Sequence, residues 1–194
     1  YELITAGLVG ITACSGLIIT AVHADTPASS SSSANASITV ANTINLTLTG
    51  GDLVIDNLTP GNASDSNIIT ATITSNSPYG YHLSATTGTS TGTTSLVNTA
   101  DSNFSFTNLN ANKATLNDFS DNTWGYSIDD GAHYSGLPIY TDTPKEIKKT
   151  TEAGNSYTNF LIGAKASSTQ ISGDYTNVIN FTVVANPEPT EALP

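Results

Sequence analysis

Positive charge is scarce in this chain. Its 194 residues contain five Lys or Arg against sixteen Asp or Glu, so the formal net charge is -11 and only 11% of residues are charged. A typical domain in water has about 25% charged residues. An acidic surface repels phosphate backbones, which argues against a nucleic-acid partner. The same repulsion argues against binding to an anionic membrane surface.

Cysteine and the common catalytic motifs are also missing. The one cysteine, Cys14, lies in an N-terminal apolar run, which excludes a disulfide or a Cys-based zinc site within one chain. Three histidines, His23, His82 and His133, are too dispersed to suggest a metal triad. The stretch "GTSTG" at residues 88–92 matches Gly-x-Ser-x-Gly in letters but lies in the Gly- and Thr-rich turn "TGTSTGTT" between predicted strands, and the sequence has no phosphate-binding loop. We therefore predict that the protein is not an enzyme and has no catalytic or cofactor-binding residues.

The N-terminal segment is typical of an exported or anchored protein. Residues 3–22 carry no charge, a length that fits a membrane-spanning helix or a long signal-peptide core. Val22 and Ala24 stand at the −3 and −1 positions of a bond before Asp25, as signal peptidase requires. We predict that residues 1–24 are either a signal peptide, processed between Ala24 and Asp25, or a retained membrane or filament anchor helix. Residues 25–36 are a Ser-rich linker.

The rest of the chain is poor in charged residues and rich in threonine, asparagine, serine and glycine. The stretch "ITVANTINLTLTG", from Ile38, alternates apolar residues with Thr and Asn, which indicates a half-buried strand. Similar short segments, separated by Gly, Pro and Asn turns, recur to the end of the chain. The pattern predicts an all-β domain over residues 37–186, an antiparallel β-sandwich with Greek-key or jelly-roll-like connections, followed by a Pro-rich tail at 187–194. The predicted strands are 37–49, 52–56, 67–75, 79–86, 103–107, 123–129, 137–140, 157–166 and 174–185. The segment "DTPKEIKKTTE", residues 142–152, is predicted as one helical turn or a polar loop.

The stretch "DNTWGYSIDDGAHYSGLP" is the best candidate for a binding site. Trp124 and Tyr126 alternate, so both face the same side of a strand, and Tyr134 follows in the next turn. These three aromatic residues are either core anchors of the sandwich or a platform on which a carbohydrate stacks.

Four carboxylates bracket the same strand and suggest a cation site. Asp118, Asp121, Asp129 and Asp130 are predicted to lie in loops, where carboxylates and carbonyl groups suit Ca²⁺. Their spacing does not match an EF-hand loop, and Asp-Gly is also a common turn. The two interpretations are a Ca²⁺ site and turn-forming aspartates, with no other cofactor expected.

Several stretches together carry a resemblance to a known group. They are the apolar leader, "ASITVANTINLTLTGGDLVIDNLTPGNASDSNIITATITSNSPYGYHLS", "NTWGYSIDDG", "YSGLP" and "ISGDYTNVINFTVVAN". The chain resembles secreted cell-surface proteins of Saccharibacteria and related candidate-phyla bacteria, which are distantly similar to the WxL wall-binding β-domains of Gram-positive bacteria. The last strand reads "NFTVVAN" where a WxL domain carries Trp-x-Leu. The resemblance implies export, surface display and attachment to a host bacterium.

These observations predict a non-enzymatic, secreted structural or adhesion protein of the extracellular cell surface. Its expected partners are a cell wall, a host-cell surface or a glycan, with self-assembly as a further option and membrane contact only through residues 1–24. One alternative is a pilin-like filament subunit that retains its N-terminal helix, although Thr5 stands where a pilin has Glu. The other is a secreted carbohydrate-binding module.

Overall fold

The computed structural model of the protein describes residues 37–88 and 92–189. The chain divides into two compact units, Tyr1–Thr39 and Val40–Pro194, and only residues 37–39 of the first are described. The predicted leader at 1–24, the linker at 25–36 and the bond between Ala24 and Asp25 lie outside the described residues. Within the described ranges, no helix is long and apolar enough to cross a membrane.

The second unit is nearly all β, as the alternating pattern predicts. Its only helical element in the described ranges is a short 3-10 helix, Leu116–Asp118. The described strands, in chain order, are β1 Ile44–Thr49, β2 Ala63–Asp65, β3 Ile69–Ser75, β4 Tyr81–Thr87, β5 Leu96–Asn98, β6 Ser105–Asn108, β7 Thr123–Ser127, β8 Lys145–Lys149, β9 Gly154–Lys165, β10 Tyr175–Thr176 and β11 Ile179–Ala185.

The strands form two sheets. The larger has the order β1-β3-β9-β7-β6-β5-β10, with β2 also pairing with β9, and the smaller has the order β11-β4-β8. Every pairing between these described strands is antiparallel except that of β6 with β7, where Thr107 pairs with Thr123 in parallel. The wholly antiparallel arrangement predicted above is therefore wrong at this pair. The long connection at 109–122 gives the chain room to cross back and run in the same direction, which a tight hairpin cannot do.

Alternation along the strands fills one buried cluster with side chains from both sheets. From β3 the cluster takes Ile69, Ala71 and Ile73, and from β4 it takes Tyr81, Leu83 and Ala85. The ring of Phe160, on β9, stacks on Tyr126 with centroids 5.2 Å apart and meets Phe181 of the smaller sheet edge-on at 5.0 Å. Burial of these apolar faces is the main favourable term that holds the two sheets together.

Hydrogen bonds also join the two sheets. The hydroxyl of Tyr81, on β4, is hydrogen-bonded to the hydroxyl of Ser156, on β9. The Lys148 ammonium, on β8, donates to the Tyr157 carbonyl oxygen at 2.8 Å. Both contacts connect the smaller sheet to β9, the longest strand of the larger one.

Several predicted elements differ from the structure. Residues 37–43 are not a strand, and Ile38 and Val40 are 92% and 76% exposed, because no neighbouring strand covers them. The predicted strands 52–56 and 137–140 are irregular in the structure. The short strands β2 and β5 were not predicted, and the helical turn or polar loop expected at 142–152 contains β8 instead. In β8 the buried Ile147 sits among lysines, a charged pattern that is typical of sheet edges.

We predict that Gly80→Ala strongly destabilises the fold, whereas Gly51→Ala does so only mildly. Both glycines have positive φ, +74° and +77°, but a Cβ at Gly80 would lie 2.4 Å from the Thr150 carbonyl oxygen, while nothing lies within 4 Å at Gly51. The left-handed backbone alone costs Ala about 1–2 kcal/mol, and the clash at Gly80 adds about 2 kcal/mol or more. Urea unfolding of both variants measures the difference. Equal losses of unfolding free energy would contradict the contact between Gly80 and Thr150.

Candidate functional site

The three aromatic residues predicted as a platform lie inside the molecule. Trp124 and Tyr134 are both 0% exposed and Tyr126 is 4% exposed. The Trp124 indole Nε1 donates to the Thr94 carbonyl oxygen at 2.9 Å, so its polar atom is also satisfied within the fold. Burial raises the pKa of Tyr126 to about 12. A carbohydrate platform on these rings is wrong for this structure, in which they are core residues.

The four predicted Ca²⁺ ligands do not converge on one point. The Asp118 carboxylate accepts from the Thr115 hydroxyl at 2.7 Å, in a capping box of the 3-10 helix. Asp121 lies 3.6 Å from the Lys165 ammonium. Asp130 accepts from the Asn159 side-chain amide at 3.2 Å. In the described part of the chain, no group of three or more His, Cys, Asp or Glu residues is placed to hold a metal ion. Asp118 thus caps a turn, whereas Asp121 and Asp130 contact Lys165 and Asn159 of β9.

The fourth of these carboxylates, Asp129, organises the loop after β7. Its Oδ1 accepts from the Ser127 hydroxyl at 2.7 Å and from the His133 backbone N–H at 2.9 Å, and its Oδ2 lies 2.8 Å from His133 Nδ1. The Ser127 oxygen in turn accepts from the Gly131 N–H at 3.0 Å. The loop is thus closed by hydrogen bonds within itself.

This Ser-Asp-His set does not have the order of a catalytic triad. A nucleophilic serine gives its proton to the histidine, which the carboxylate orients from its other side. Here the carboxylate of Asp129 stands between the two, and Ser127 is 1% exposed. The arrangement stabilises a turn and does not activate the serine hydroxyl.

The same loop is tied to β2 through Tyr134. The Tyr134 hydroxyl donates to Asp65 Oδ1 at 2.5 Å, and its ring meets Phe119 edge-on with centroids 5.2 Å apart. Desolvation and the neighbouring Asp65 carboxylate raise the pKa of Tyr134. Tyr134 therefore stays a neutral hydrogen-bond donor that anchors the loop.

We predict that Asp129→Asn removes part of the acid sensitivity of the fold. Partial desolvation raises the pKa of Asp129, but the hydrogen bonds from Ser127 and His133 outweigh it and lower the pKa from 3.8 to about 2. The ionised carboxylate therefore stabilises the fold above about pH 4, and this contribution is lost as the pH falls toward 2. The effect is modest because the side chain is 45% exposed.

Urea unfolding of the wild type and of Asp129→Asn at about pH 6 and about pH 2.5 tests this prediction. The stability difference between the two proteins should shrink at the lower pH. Asp130→Asn is the matched control, because Asn is tolerated at its φ of 56° and its side-chain oxygen can still accept from Asn159. A difference that is the same at both pH values would show that Asp129 does not act through its charge.

The outer face of the larger sheet is a regular polar surface. Its side chains form three rungs across β1, β3 and β9: Asn45, Thr74 and Asn155; Thr47, Thr72 and Tyr157; Thr49, Thr70 and Asn159. We call these nine residues the Thr/Asn face. Seven are exposed and two, Thr70 and Asn159, are half-buried. Sheet geometry sets the spacing at about 4.8 Å between strands and about 7 Å along each strand.

A polar groove lies on the smaller sheet, on the other side of the domain core. It has a volume of about 330 Å³, and its floor is formed by the outer side chains of β4 and β11. The segment that contains Tyr140 and Pro144 forms its rim. We call this feature the β4/β11 groove. No local motif marks it, because its residues come from three distant segments, whereas the β1 row of the Thr/Asn face shows as alternation in the sequence.

Comparison of the chain with protein-family models, with curated proteins and with solved structures gives no match.

Proposed function

We propose that the protein is a non-enzymatic structural or adhesion protein of the extracellular cell surface, and that the Thr/Asn face is its contact surface. The supporting observation is that none of the nine side chains on this face is charged, in a molecule of net charge -11. We also propose that the two sheets pack as a β-sandwich with Greek-key-like connections, since they share one buried cluster.

An uncharged, hydroxyl-rich face suits attachment to a neutral surface. Each of its threonine, asparagine and tyrosine side chains offers a hydrogen-bond donor and an acceptor. Threonine and asparagine side chains carry no titratable group, and salt does not screen hydrogen bonds between neutral groups as it screens ion pairs. Burying such groups costs less than burying charged groups, provided that the partner supplies hydrogen bonds. The expected partners are a cell wall, a host-cell surface or a neutral glycan layer.

The side chains on the face are already partly ordered by contacts with one another. The Asn45 amide donates to the Thr47 hydroxyl at 3.3 Å, and the Thr70 hydroxyl donates to Asn159 Oδ1 at 3.1 Å. Tyr157 is 71% exposed at the middle of the β9 row and is the largest side chain there. A preordered surface loses less side-chain entropy on binding, which favours attachment.

We predict that Thr72→Glu weakens attachment of the purified domain to intact cells or isolated walls, by about tenfold or more. Thr72 occupies the centre of the Thr/Asn face, so a charge there must be desolvated on contact with a neutral surface. Thr107→Glu is the control, because Thr107 is an exposed strand residue of β6 outside the face. Sedimentation with the cells or walls measures the bound fraction, and circular dichroism checks that both variants fold. Equal attachment by both variants would remove the Thr/Asn face from the proposal.

The filament alternative depends on the N-terminus. If the protein is exported and processed, its mature chain begins at Asp25; if it is a pilin-like subunit, residues 1–24 are retained in the assembled material. We predict the first outcome. N-terminal sequencing and intact mass of the protein from its native cells give the answer, and a retained apolar segment would favour the filament or a membrane anchor over the processed form.

A further inference from the structure

The β4/β11 groove presents polar side chains from neighbouring strands. Ser84 pairs with Thr182 and Thr86 pairs with Asn180, which places two rungs of polar groups side by side. Beyond the end of β8, the rim segment takes the place of a third strand next to the end of β4. Thr87 donates its N–H to the Pro138 carbonyl at 2.8 Å, and Tyr140 donates its N–H to the Thr87 carbonyl at 2.9 Å. The rim is therefore fixed to the sheet by backbone hydrogen bonds.

The floor of the groove is formed by largely buried residues whose hydroxyls have few partners among the described residues. Ser84 and Thr86 are each 7% exposed. Within the described residues, the hydroxyl of Ser84 makes one long hydrogen bond, 3.4 Å to the Thr182 carbonyl. The Thr86 hydroxyl has no hydrogen bond to any described residue, although it lines the groove. A polar atom in this position gains most from a ligand that brings its own donors and acceptors.

The side chain of Asn180 is held in place through its amide nitrogen. Its amide nitrogen donates to the Gly88 carbonyl oxygen at 2.8 Å. This contact fixes the side chain, and its Oδ1 has no hydrogen bond to a described residue, so it can accept one from a ligand. The rim adds a flat ring, Tyr140, which is 38% exposed, and the apolar ring of Pro144.

These features match a neutral sugar better than other small molecules. A sugar ring has an apolar C–H face, which can stack on an aromatic ring, and a rim of hydroxyls that both donate and accept hydrogen bonds. The described residues that line the groove include no charged side chain, so the lining itself gives phosphate, carboxylate or amine ligands no ionic partner; the charged residues Glu146 and Lys145 of β8 pair with Ser84 and Ala85 beside it. A volume of about 330 Å³ lies at the small end of ligand pockets, enough for one or two sugar units.

We propose that the β4/β11 groove binds a neutral saccharide, with Tyr140 stacking on the sugar ring while Ser84, Thr86 and Asn180 hydrogen-bond to its hydroxyls. This inference rests on the proposed function, because it names a ligand class for a surface protein, but it uses a site separate from the Thr/Asn face. The groove would supply selectivity for one glycan, whereas the face supplies general attachment.

Titration calorimetry with neutral trisaccharides, namely cellotriose, mannotriose and N-acetylated chitotriose, tests the proposal on the domain that follows Ala24. We expect one of them to bind and Tyr140→Ala to weaken that binding by about tenfold, while Tyr140→Phe retains it because the ring is kept.

A second variant and two controls test the polar part of the site. Thr86→Val, which keeps the shape of the side chain but removes its hydroxyl, should weaken binding less than Tyr140→Ala does. Ile128→Ala is the matched control, because Ile128 is 40% exposed, about as much as Tyr140, and lies outside both the groove and the Thr/Asn face. A galacturonic acid trisaccharide serves as the acidic probe and should not bind, since the molecule is acidic.

Three results would overturn the inference: no binding of any neutral trisaccharide, binding that Tyr140→Ala and Ile128→Ala reduce equally, or equal binding of the acidic probe. Attachment to cells or walls, measured in parallel, separates the two proposals. Attachment without saccharide binding removes the groove and leaves the proposed function intact. Saccharide binding that is lost in Tyr140→Ala, in a domain that does not attach to cells or walls, supports the groove and removes the adhesive role.

Discussion

The long strand β9 is the constraint on which most of the architecture depends. Its twelve residues, Gly154–Lys165, pair with β3 at one end and with both β2 and β7 at the other. Phe160, Ile162 and Ala164 point into the shared core. Because strand side chains alternate between faces, the position of these three residues places their neighbours on the opposite face of the sheet. One strand therefore sets both the core and the outer surface.

The outer face of β9 is exposed to solvent near the start of the strand and buried toward its end. Near its start, Asn155 and Tyr157 are exposed, whereas Leu161 is buried in a second cluster with Phe119 and Tyr134. At Gly163 a Cβ would lie 2.7 Å from the Tyr134 ring, so only glycine lets that ring lie against the strand. The loops around β7 thus cover one end of the outer surface, and the rest remains open as the Thr/Asn face.

The sequence predicted the elements in which alternation is strong and local. The class of fold, the strands β3, β4 and β11 and the row of Asn and Thr on β1 follow from residues next to one another in the chain. Alternation cannot show which strands are neighbours, so the parallel pair of β6 and β7 was missed. The β4/β11 groove was missed for the same reason, since it joins Thr86 to Tyr140 and Asn180 only through tertiary packing. The predicted carbohydrate platform at Trp124 failed for a different reason. A stacking platform and a core anchor have the same sequence pattern, and only the structure shows that these rings are buried.

The distribution of the few lysines sets the two sheets apart. Lys145, Lys148 and Lys149, three of the five in the chain, lie on β8, at the edge of the smaller sheet. A row of lysines on an edge strand opposes pairing with the same strand of another copy, since like charges would be brought together. The edge strand β1 of the larger sheet, in contrast, carries only Asn, Thr, Ile and Leu. Charge therefore protects the edge beside the groove, while the Thr/Asn face and its own edge stay neutral, as the neutral partner surface proposed for that face would require.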